Sequence, residues 1–108
     1  MSYEVRTIFS FEKEFKRLSK KFPSLKSDLS ILITELETNP FQGSPLGKGF
    51  YKVRLKISSK GTGKSGGARV ISCVKVVQNV VYLALIYDKS ERTSINDIDL
   101  KHLAIQIG

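Results

Sequence analysis

Positive charge is concentrated in the middle of the 108-residue chain. Residues 38–87 hold eight Lys or Arg side chains and no Asp or Glu. The seven basic and six acidic residues before this segment nearly cancel, as do the three basic and four acidic residues after it. The net charge of +8 therefore comes from the centre of the chain. A concentrated positive field attracts polyanions and speeds their capture, which favours an anionic partner over a merely solvated surface.

A glycine-rich segment within the basic stretch invites comparison with a nucleotide-binding P-loop. That motif needs a glycine five residues before its Gly-Lys pair, and here Ser58 stands at that place. It also needs a helix after the loop, whereas the run from Ala68 is typical of a strand. Binding of ATP or GTP is therefore not expected. The glycines instead predict a mobile loop through which Lys60 and Lys64 approach phosphates.

His102 and Cys73 are the single histidine and the single cysteine of the chain. One histidine and one distant cysteine cannot form a zinc site, so neither a metal nor a cofactor is expected. His102 is predicted to pack or to lie on the surface, away from the basic face. Cys73 lies in a β-rich run without a neighbouring histidine, which favours an inert residue over a nucleophile. The lone cysteine, together with the absence of an apolar signal or an eighteen-residue apolar run, favours a cytoplasmic protein without a membrane partner.

Two helices are predicted after a short first strand over residues 3–8. Apolar residues at steps of three and four indicate a first helix capped by Ser10 and a second with Pro23 in its first turn. The second helix should stop at Asn39-Pro40. Helices joined so tightly form an antiparallel hairpin. Its predicted core positions are Phe11, Phe15, Leu18, Phe22, Leu25, Leu29, Leu32 and Leu36.

Three β-strands and a last helix complete the predicted fold. Residues 39–50 are typical of a loop, and the period then changes to two over residues 51–58. Residues 68–77 and 80–88 are predicted to pair through a two-residue turn, and a capping box at 94–97 should start a helix through about Ala104. The expected class is α+β. One domain over 1–108 carries an N-terminal strand and an antiparallel helical hairpin packed on a mainly antiparallel four-stranded sheet, with a short C-terminal helix.

Strand pairing predicts where the basic side chains meet. Pairing Val77 with Val80 places Arg69 opposite Asp88, which would then orient Arg69 or serve as a strand-end charge. Pairing across the longer loop places Arg69 opposite Lys56. Period-two alternation then gathers four cations on one open face, with Lys89 at its rim: Lys52, Arg54, Lys56 and Arg69. The opposite, helix-covered face should carry Val53, Leu55, Val70, Val74, Leu83 and Leu85. Like charges on adjacent strands repel, and an anionic ligand would relieve that repulsion.

Aromatic residues near this face have two open interpretations. Tyr82 and Phe50 could stack on nucleobases, although aromatic residues in such a chain are more often packing residues.

The order of motifs resembles the RelE toxins of bacterial toxin–antitoxin systems, within the RelE/ParE superfamily. The resemblance is carried by YKVRLKI, a basic Gly-rich loop, GGARVISCV and VYLALIYDKSER. It extends over nearly the whole chain, because the preceding strand and helices match in order. With its inserted GTGKSGG segment, the chain is especially similar to a RelE-like branch called the HigB toxins.

This resemblance implies a ribosome-dependent endoribonuclease that enters the decoding site and cuts mRNA. Lys52 and Arg54 match two basic residues on one RelE strand, Arg69 matches a phosphate-stabilising arginine, and Lys89 matches a basic residue after the last strand. These four are the expected catalytic residues. The expected RNA-binding residues are Lys48, Lys56, Lys60, Lys64 and Arg92. Ser90 and Asn96 depart from the pattern, because RelE has a catalytic arginine and a base-stacking tyrosine there.

The resemblance also implies partners, namely the ribosome with its mRNA and a cognate antitoxin, typically a helix-turn-helix protein in the HigB-like branch. Two other functions stay open on the sequence. A ParE-like toxin that inhibits DNA gyrase by binding would share the fold, and so would a nucleic-acid-binding module without catalysis.

Overall fold

The computed structural model describes residues 2–61, 63 and 66–108. Helices and strands follow the predicted order, with one additional strand. The strands are β1 (Glu4–Thr7), β2 (Ser44–Gly47), β3 (Phe50–Leu55), β4 (Ala68–Lys75) and β5 (Val80–Asp88). The helices are α1 (Phe9–Lys21), α2 (Leu25–Thr38) and α3 (Asp97–Ile107), and Ser58–Lys60 form a single 3-10 turn. The predicted α+β class is confirmed.

The helical hairpin forms as the apolar spacing predicts. Six of the eight predicted core positions are buried, and Phe15 and Phe22 are partly buried against the same core. The predicted start of α1 is wrong. Ile8, not Ser10, is the N-cap residue, because the chain turns into the helix directly after the backbone N–H of Ile8 donates to the carbonyl of Leu83. Ser10 lies inside α1, where its hydroxyl donates to Gln106 of α3 at 2.6 Å.

Within the described residues, the sheet has five strands in the order β1-β5-β4-β3-β2. Of these five strands, only β1 runs parallel to its neighbour, and Glu4 pairs with Val80 there. The additional strand, β2, pairs antiparallel with β3 at the edge and is irregular between Pro45 and Gly47. Proline is tolerated at a sheet edge because its missing N–H is not required for a further ladder. The residues predicted as loop therefore include an edge strand.

Both predicted strand registers are wrong by one or two residues. The β4–β5 turn spans the four residues 76–79 rather than two, and a register shift follows between Ile71 and Ser72. Together they pair Arg69 with Tyr87 and Asp88 with Ala68. The β3–β4 pairing places Arg69 opposite Arg54 instead of Lys56. Because the actual and predicted β3–β4 registers differ by an even number, the predicted sharing of one sheet face by Lys52, Arg54 and Arg69 still holds.

Each face of the sheet carries its own core. On the face covered by α1 and α2, the buried residues include Val53, Leu55, Val70, Val74 and Leu83, as predicted. Leu85 is partly buried against the core of the other face, because a register shift between Ile71 and Ser72 displaces β5 by one residue.

The second face is not open as predicted. Leu103 of α3 packs there on a small core of Phe50, Ile71, Cys73, Ala84 and Tyr87. The helix that carries His102 therefore lies on the same face as the basic residues, not away from them. Among the helices that the structure describes, none is both long and apolar enough to cross a membrane.

Candidate functional site

Three neighbouring strands align basic and aromatic residues at one end of the second face. Arg54 of β3 is the direct partner of Arg69 on β4, which in turn is the partner of Tyr87 on β5. The Arg92 guanidinium lies 5.6 Å from the centroid of the Tyr87 ring. We call these four residues the basic row. The alignment of Arg54, Arg69 and Tyr87 follows from the register, because residues paired across a sheet project from the same face. Arg92 joins them through its contact with the Tyr87 ring.

The centre of the basic row is buried. Arg69 is 5% exposed, and its Nη1 donates to the Ala68 carbonyl at 3.1 Å. Tyr87 is also 5% exposed, and its hydroxyl has no hydrogen-bond partner among the described residues. Burial raises the pKa of Tyr87, while the positive charges of Arg69 and Arg92 act in the opposite direction. The row thus combines a fixed interior guanidinium with an accessible one, because Arg54 is exposed.

The other cations predicted on β3 and in the preceding loop lie in three different settings. Lys52 is half-buried on the same face as Arg54 and pairs with Ser44 of the edge strand. Lys48 is exposed in the β2–β3 turn, where its φ of 55° is in the left-handed region. Lys56 is exposed and follows the last residue of β3. With Arg54 and residues of α2 it lines a cavity beside β3, and it helps to lower the pKa of the buried Asp28. The structure therefore keeps Lys52, Arg54 and Arg69 on one sheet face, and Arg54 also borders the cavity that Lys56 lines.

The segment after β5 carries Lys89 and Arg92. The Asp88 carbonyl accepts hydrogen bonds from the backbone N–H groups of Glu91 and Arg92 at 3.0 and 3.1 Å, which forms a turn. Lys89 is exposed on this turn. Arg92 forms an ion pair with Asp99 in the first turn of α3, and its Nε donates to the Ser94 carbonyl at 2.9 Å. Asp99 also belongs to the capping box that starts α3 with Asn96 as its N-cap residue.

Lys60 has a partner that the sequence did not indicate. Its Nζ lies 2.9 Å from Oδ1 of Asp88, a residue that we expected beside Arg69. Asp88 is wholly buried, and burial alone would raise its pKa. The hydrogen bonds from Lys60 and from Ser90 outweigh that effect and hold the pKa below its ordinary value. Lys64, the other loop lysine predicted to contact RNA, lies outside the described residues.

The remaining candidate residues have structural surroundings. Phe50 is buried in the second core, and Cys73 is buried beside it, where burial raises the pKa of the thiol. Tyr82 is half-buried, and His102 is exposed on α3. Within the described part of the chain, no three His, Cys, Asp or Glu side chains come together as a metal site would require.

Comparisons with known proteins agree with this fold. A search of curated proteins found no match. Among solved structures, the isolated E. coli RelE toxin matches with a TM-score of 0.63 and 16% identity, over 96% of this chain and 98% of that one. A free-state E. coli RelE variant with two arginines replaced by alanine matches with the same score and identity, over 98% and 94%. At this identity the structural likeness concerns the fold.

The sequence itself matches a family model across most of its length. The model is that of the RelE toxin of the RelE / RelB toxin–antitoxin system, and it matches residues 6–106. The match starts within β1 and ends one residue before the end of α3, and it includes every helix and strand between them. The chain therefore belongs to the RelE toxin family.

Proposed function

We propose that the protein is the toxin of a type II toxin–antitoxin system and acts as a ribosome-dependent mRNA endoribonuclease. The observation that carries this proposal is the pairing of Arg54 with Arg69 in the basic row. Two guanidinium groups directly across a ladder repel each other, and that arrangement is stabilised when an anion lies between or above them. A phosphodiester fits, because the planar fork of arginine donates two hydrogen bonds to phosphate oxygens.

The proposed chemistry uses the 2′-hydroxyl of RNA as the nucleophile. The protein must orient that hydroxyl, neutralise the phosphate and protonate the leaving oxygen. Arg69 is the proposed phosphate-stabilising group, since its burial fixes its position before the substrate arrives. Arg54 holds the RNA backbone, and Lys52 or Lys89 is the proposed general base. A site that relies on position and charge should cut free RNA slowly, and the ribosome completes its geometry.

The wider RNA contact surface comprises further cations of the central segment and of the turn after β5. Lys48, Lys56, Lys64 and Arg92 are the proposed contributors. Lys60 is less suited to this role than its sequence position suggested, because its ammonium group pairs with Asp88 and its side chain is only 17% exposed.

The proposed partners follow from the family. The description of the matching model names an antitoxin, and we propose a cognate antitoxin for this chain as well. The resemblance of the loop to HigB toxins favours a helix-turn-helix antitoxin. The ribosome with its mRNA is the proposed target, which places the action in the cytoplasm.

Induction of the protein in bacteria, with separate measurement of protein and DNA synthesis, tests this function. We expect translation to fall within the first minutes while replication continues, and primer extension should then show mRNA ends at codon positions. An early fall in DNA synthesis with intact translation would contradict the proposal and support a ParE-like gyrase inhibitor. Arrest of translation without new mRNA ends would support binding without catalysis.

A further inference from the structure

Asp88 is a fully buried acidic residue at the end of the basic central segment. It is 0% exposed and ends β5. Its Oδ1 accepts hydrogen bonds from Nζ of Lys60 at 2.9 Å and from the backbone N–H of Ser90 at 3.0 Å. Its Oδ2 has no partner among the described residues. A buried carboxylate is strongly unfavourable unless it is paired, so these two contacts fix Lys60 and Ser90 relative to β5.

Lys60 is enclosed from the other side. Its Nζ lies 5.3 Å from the centroid of the Phe22 ring, at the junction of α1 and α2. An ammonium group between a carboxylate and an aromatic face is stabilised by both contacts. It must give up both to reach a phosphate in solution. The charge of Lys60 is therefore neutralised within the protein.

The 3-10 turn that carries Lys60 is attached at further points. The backbone N–H and hydroxyl of Ser58 both donate to the carboxylate of Asp28, at 2.9 and 2.6 Å. The backbone N–H of Ser59 donates to the Ser24 hydroxyl at 2.8 Å. The first residues of the loop are thus bound to the start of α2, and the Lys60–Asp88 pair binds them to β5.

The last residue of the same loop meets the same point of β5. The Gly67 carbonyl accepts a hydrogen bond from the backbone N–H of Lys89 at 3.1 Å. Both ends of the loop are therefore connected to consecutive residues, Asp88 through its side chain and Lys89 through its backbone. The turn that begins at Asp88 then determines where Lys89 and Arg92 project beside the basic row.

We propose that the Lys60–Asp88 pair is a latch that joins the basic loop to the end of β5, and that Lys60 and Asp88 are positioning residues rather than RNA contacts. The effect of the latch on RNA rests on the proposed function. When the latch opens, the 3-10 turn that carries Lys60 separates from the end of β5, and the turn that carries Lys89 is held less firmly beside Arg69.

The two possible roles of Lys60 give opposite expectations for Asp88→Asn. If Lys60 contacts RNA directly, this substitution releases its ammonium group, adds one unit of positive charge and strengthens the action on RNA. If the latch positions the site, Asp88→Asn and Lys60→Met weaken the same action in the same way. The double variant is then no worse than either single variant, because both changes remove one interaction.

The experiment compares Asp88→Asn, Lys60→Met and their combination with matched controls in a cell-free translation system. Glu91→Gln makes the same charge change as Asp88→Asn, three residues away, in an exposed pair with Arg17. Lys26→Met removes an exposed lysine of α2. Lys60→Arg keeps a cation at the latch. Amide hydrogen exchange at Lys89 and Ser90 reports the latch directly, and exchange in β4 and β5 reports the fold.

The latch predicts faster exchange at the Lys89 and Ser90 amides in both single variants, with core amides still protected. The toxin concentration needed for half-arrest should rise about tenfold to a hundredfold in both, and the controls and Lys60→Arg should stay near wild type. Stronger arrest by Asp88→Asn, or unchanged exchange at both amides, would overturn the proposal. If Asp88→Asn does not fold, Lys60→Met and Lys60→Arg test the latch through amide exchange at Lys89 and Ser90 and through the toxin concentration needed for half-arrest. If the wild type itself does not arrest translation, the proposed function fails, and the exchange data alone uphold or overturn the latch.

Discussion

Arg54 and Arg69 are direct partners across the β3–β4 ladder, yet one is exposed to solvent and the other is 5% exposed. Substituting the two should therefore have different consequences. Arg54→Ala removes an accessible cation and relieves like-charge repulsion, so the free energy of unfolding should change by no more than about 0.5 kcal/mol. Arrest of translation should fall about a hundredfold. Urea denaturation and cell-free translation measure the two effects, and undiminished arrest by this variant would remove Arg54 from the site.

Arg69→Ala should abolish arrest and also destabilise the protein, by about 2 kcal/mol, because a buried hydrogen-bonded cation is lost. Arg69→Lys keeps the charge but not the planar fork. Compared with Arg69→Ala, we expect it to restore more of the stability than of the translation arrest. A variant at this position with full arrest at equal expression would contradict the assignment.

Stability should depend on acid through Asp28 and Asp88. Burial raises the pKa of both carboxyl groups. Hydrogen bonds outweigh it, chiefly from Ser58 to Asp28 and from Lys60 to Asp88, so both pKa values lie below the ordinary 3.8. A lowered folded pKa stabilises the protein fully above 3.8, and that contribution is lost as the pH falls through the folded value.

The free energy of unfolding, followed by urea denaturation from about pH 6 down to about pH 3, should therefore fall steeply at the acidic end. Asp28→Asn and Asp88→Asn should each be less stable at neutral pH and show a shallower decline. Asp97→Asn, at an exposed residue, is the control. If the free energy of unfolding falls equally steeply with pH in the wild type and all three variants, these buried carboxylates do not cause the loss of stability in acid.

Gly67 should tolerate no side chain. A Cβ atom there would lie 2.3 Å from the carbonyl oxygen of Leu55 and 3.1 Å from the backbone nitrogen of Ile57. Both obstacles are backbone atoms, one at the end of β3 and one just after it, and they cannot rotate away. Gly67→Ala should therefore lower the free energy of unfolding by about 3 kcal/mol or more. Gly61→Ala, which meets open space but has a φ of 72°, should cost only about 1 kcal/mol. Equal costs would contradict the close approach of β3 and β4 at this point.

Cys73 should react slowly with thiol reagents in the folded protein. The residue is 2% exposed, and burial raises the pKa of its thiol, which reduces the thiolate fraction. Labelling with a chromogenic disulfide at mildly alkaline pH should be slow in buffer and rapid in denaturant. Arrest of translation should survive treatment of the native protein with the reagent. Rapid labelling accompanied by loss of arrest would contradict an inert role.

The fold could be predicted from sequence where the periodicity is strong. The spacing of Phe11, Leu18 and Leu29 determines the helical hairpin, and alternation along β3 determines which side of that strand is polar. β2 could not be predicted, because Pro45 and the flanking glycines are typical of loops and its pairing depends on β3 alone. The register shift opposite Ala84 was equally hidden, since β5 is apolar on both faces and shows no alternation.

The candidate site could be predicted in part. The predicted β3–β4 register is wrong by two residues, and an even error leaves every side chain on its predicted face. Lys52, Arg54 and Arg69 could therefore be placed correctly on one face. The burial of Arg69, however, depends on the long-range packing of its surroundings, and the partner of Lys60 is 28 residues away. Basic residues in a loop look alike in a sequence, whether they meet solvent or a buried carboxylate. An acidic residue at a strand end within an apolar run is a signal that could have indicated an internal ion pair.

The parallel pairing of β1 with β5 links residues that are far apart in sequence, since Glu4 meets Val80. Contacts so distant in sequence cannot form until most of the polypeptide has been synthesised, and parallel pairings are slow to form. β5 also supplies Tyr87, the partner of Arg69 in the basic row. A nascent chain therefore lacks the assembled basic row until the residues of β5 have been added. For a protein proposed to attack translation, this order of assembly makes the proposed site a late product of its own synthesis.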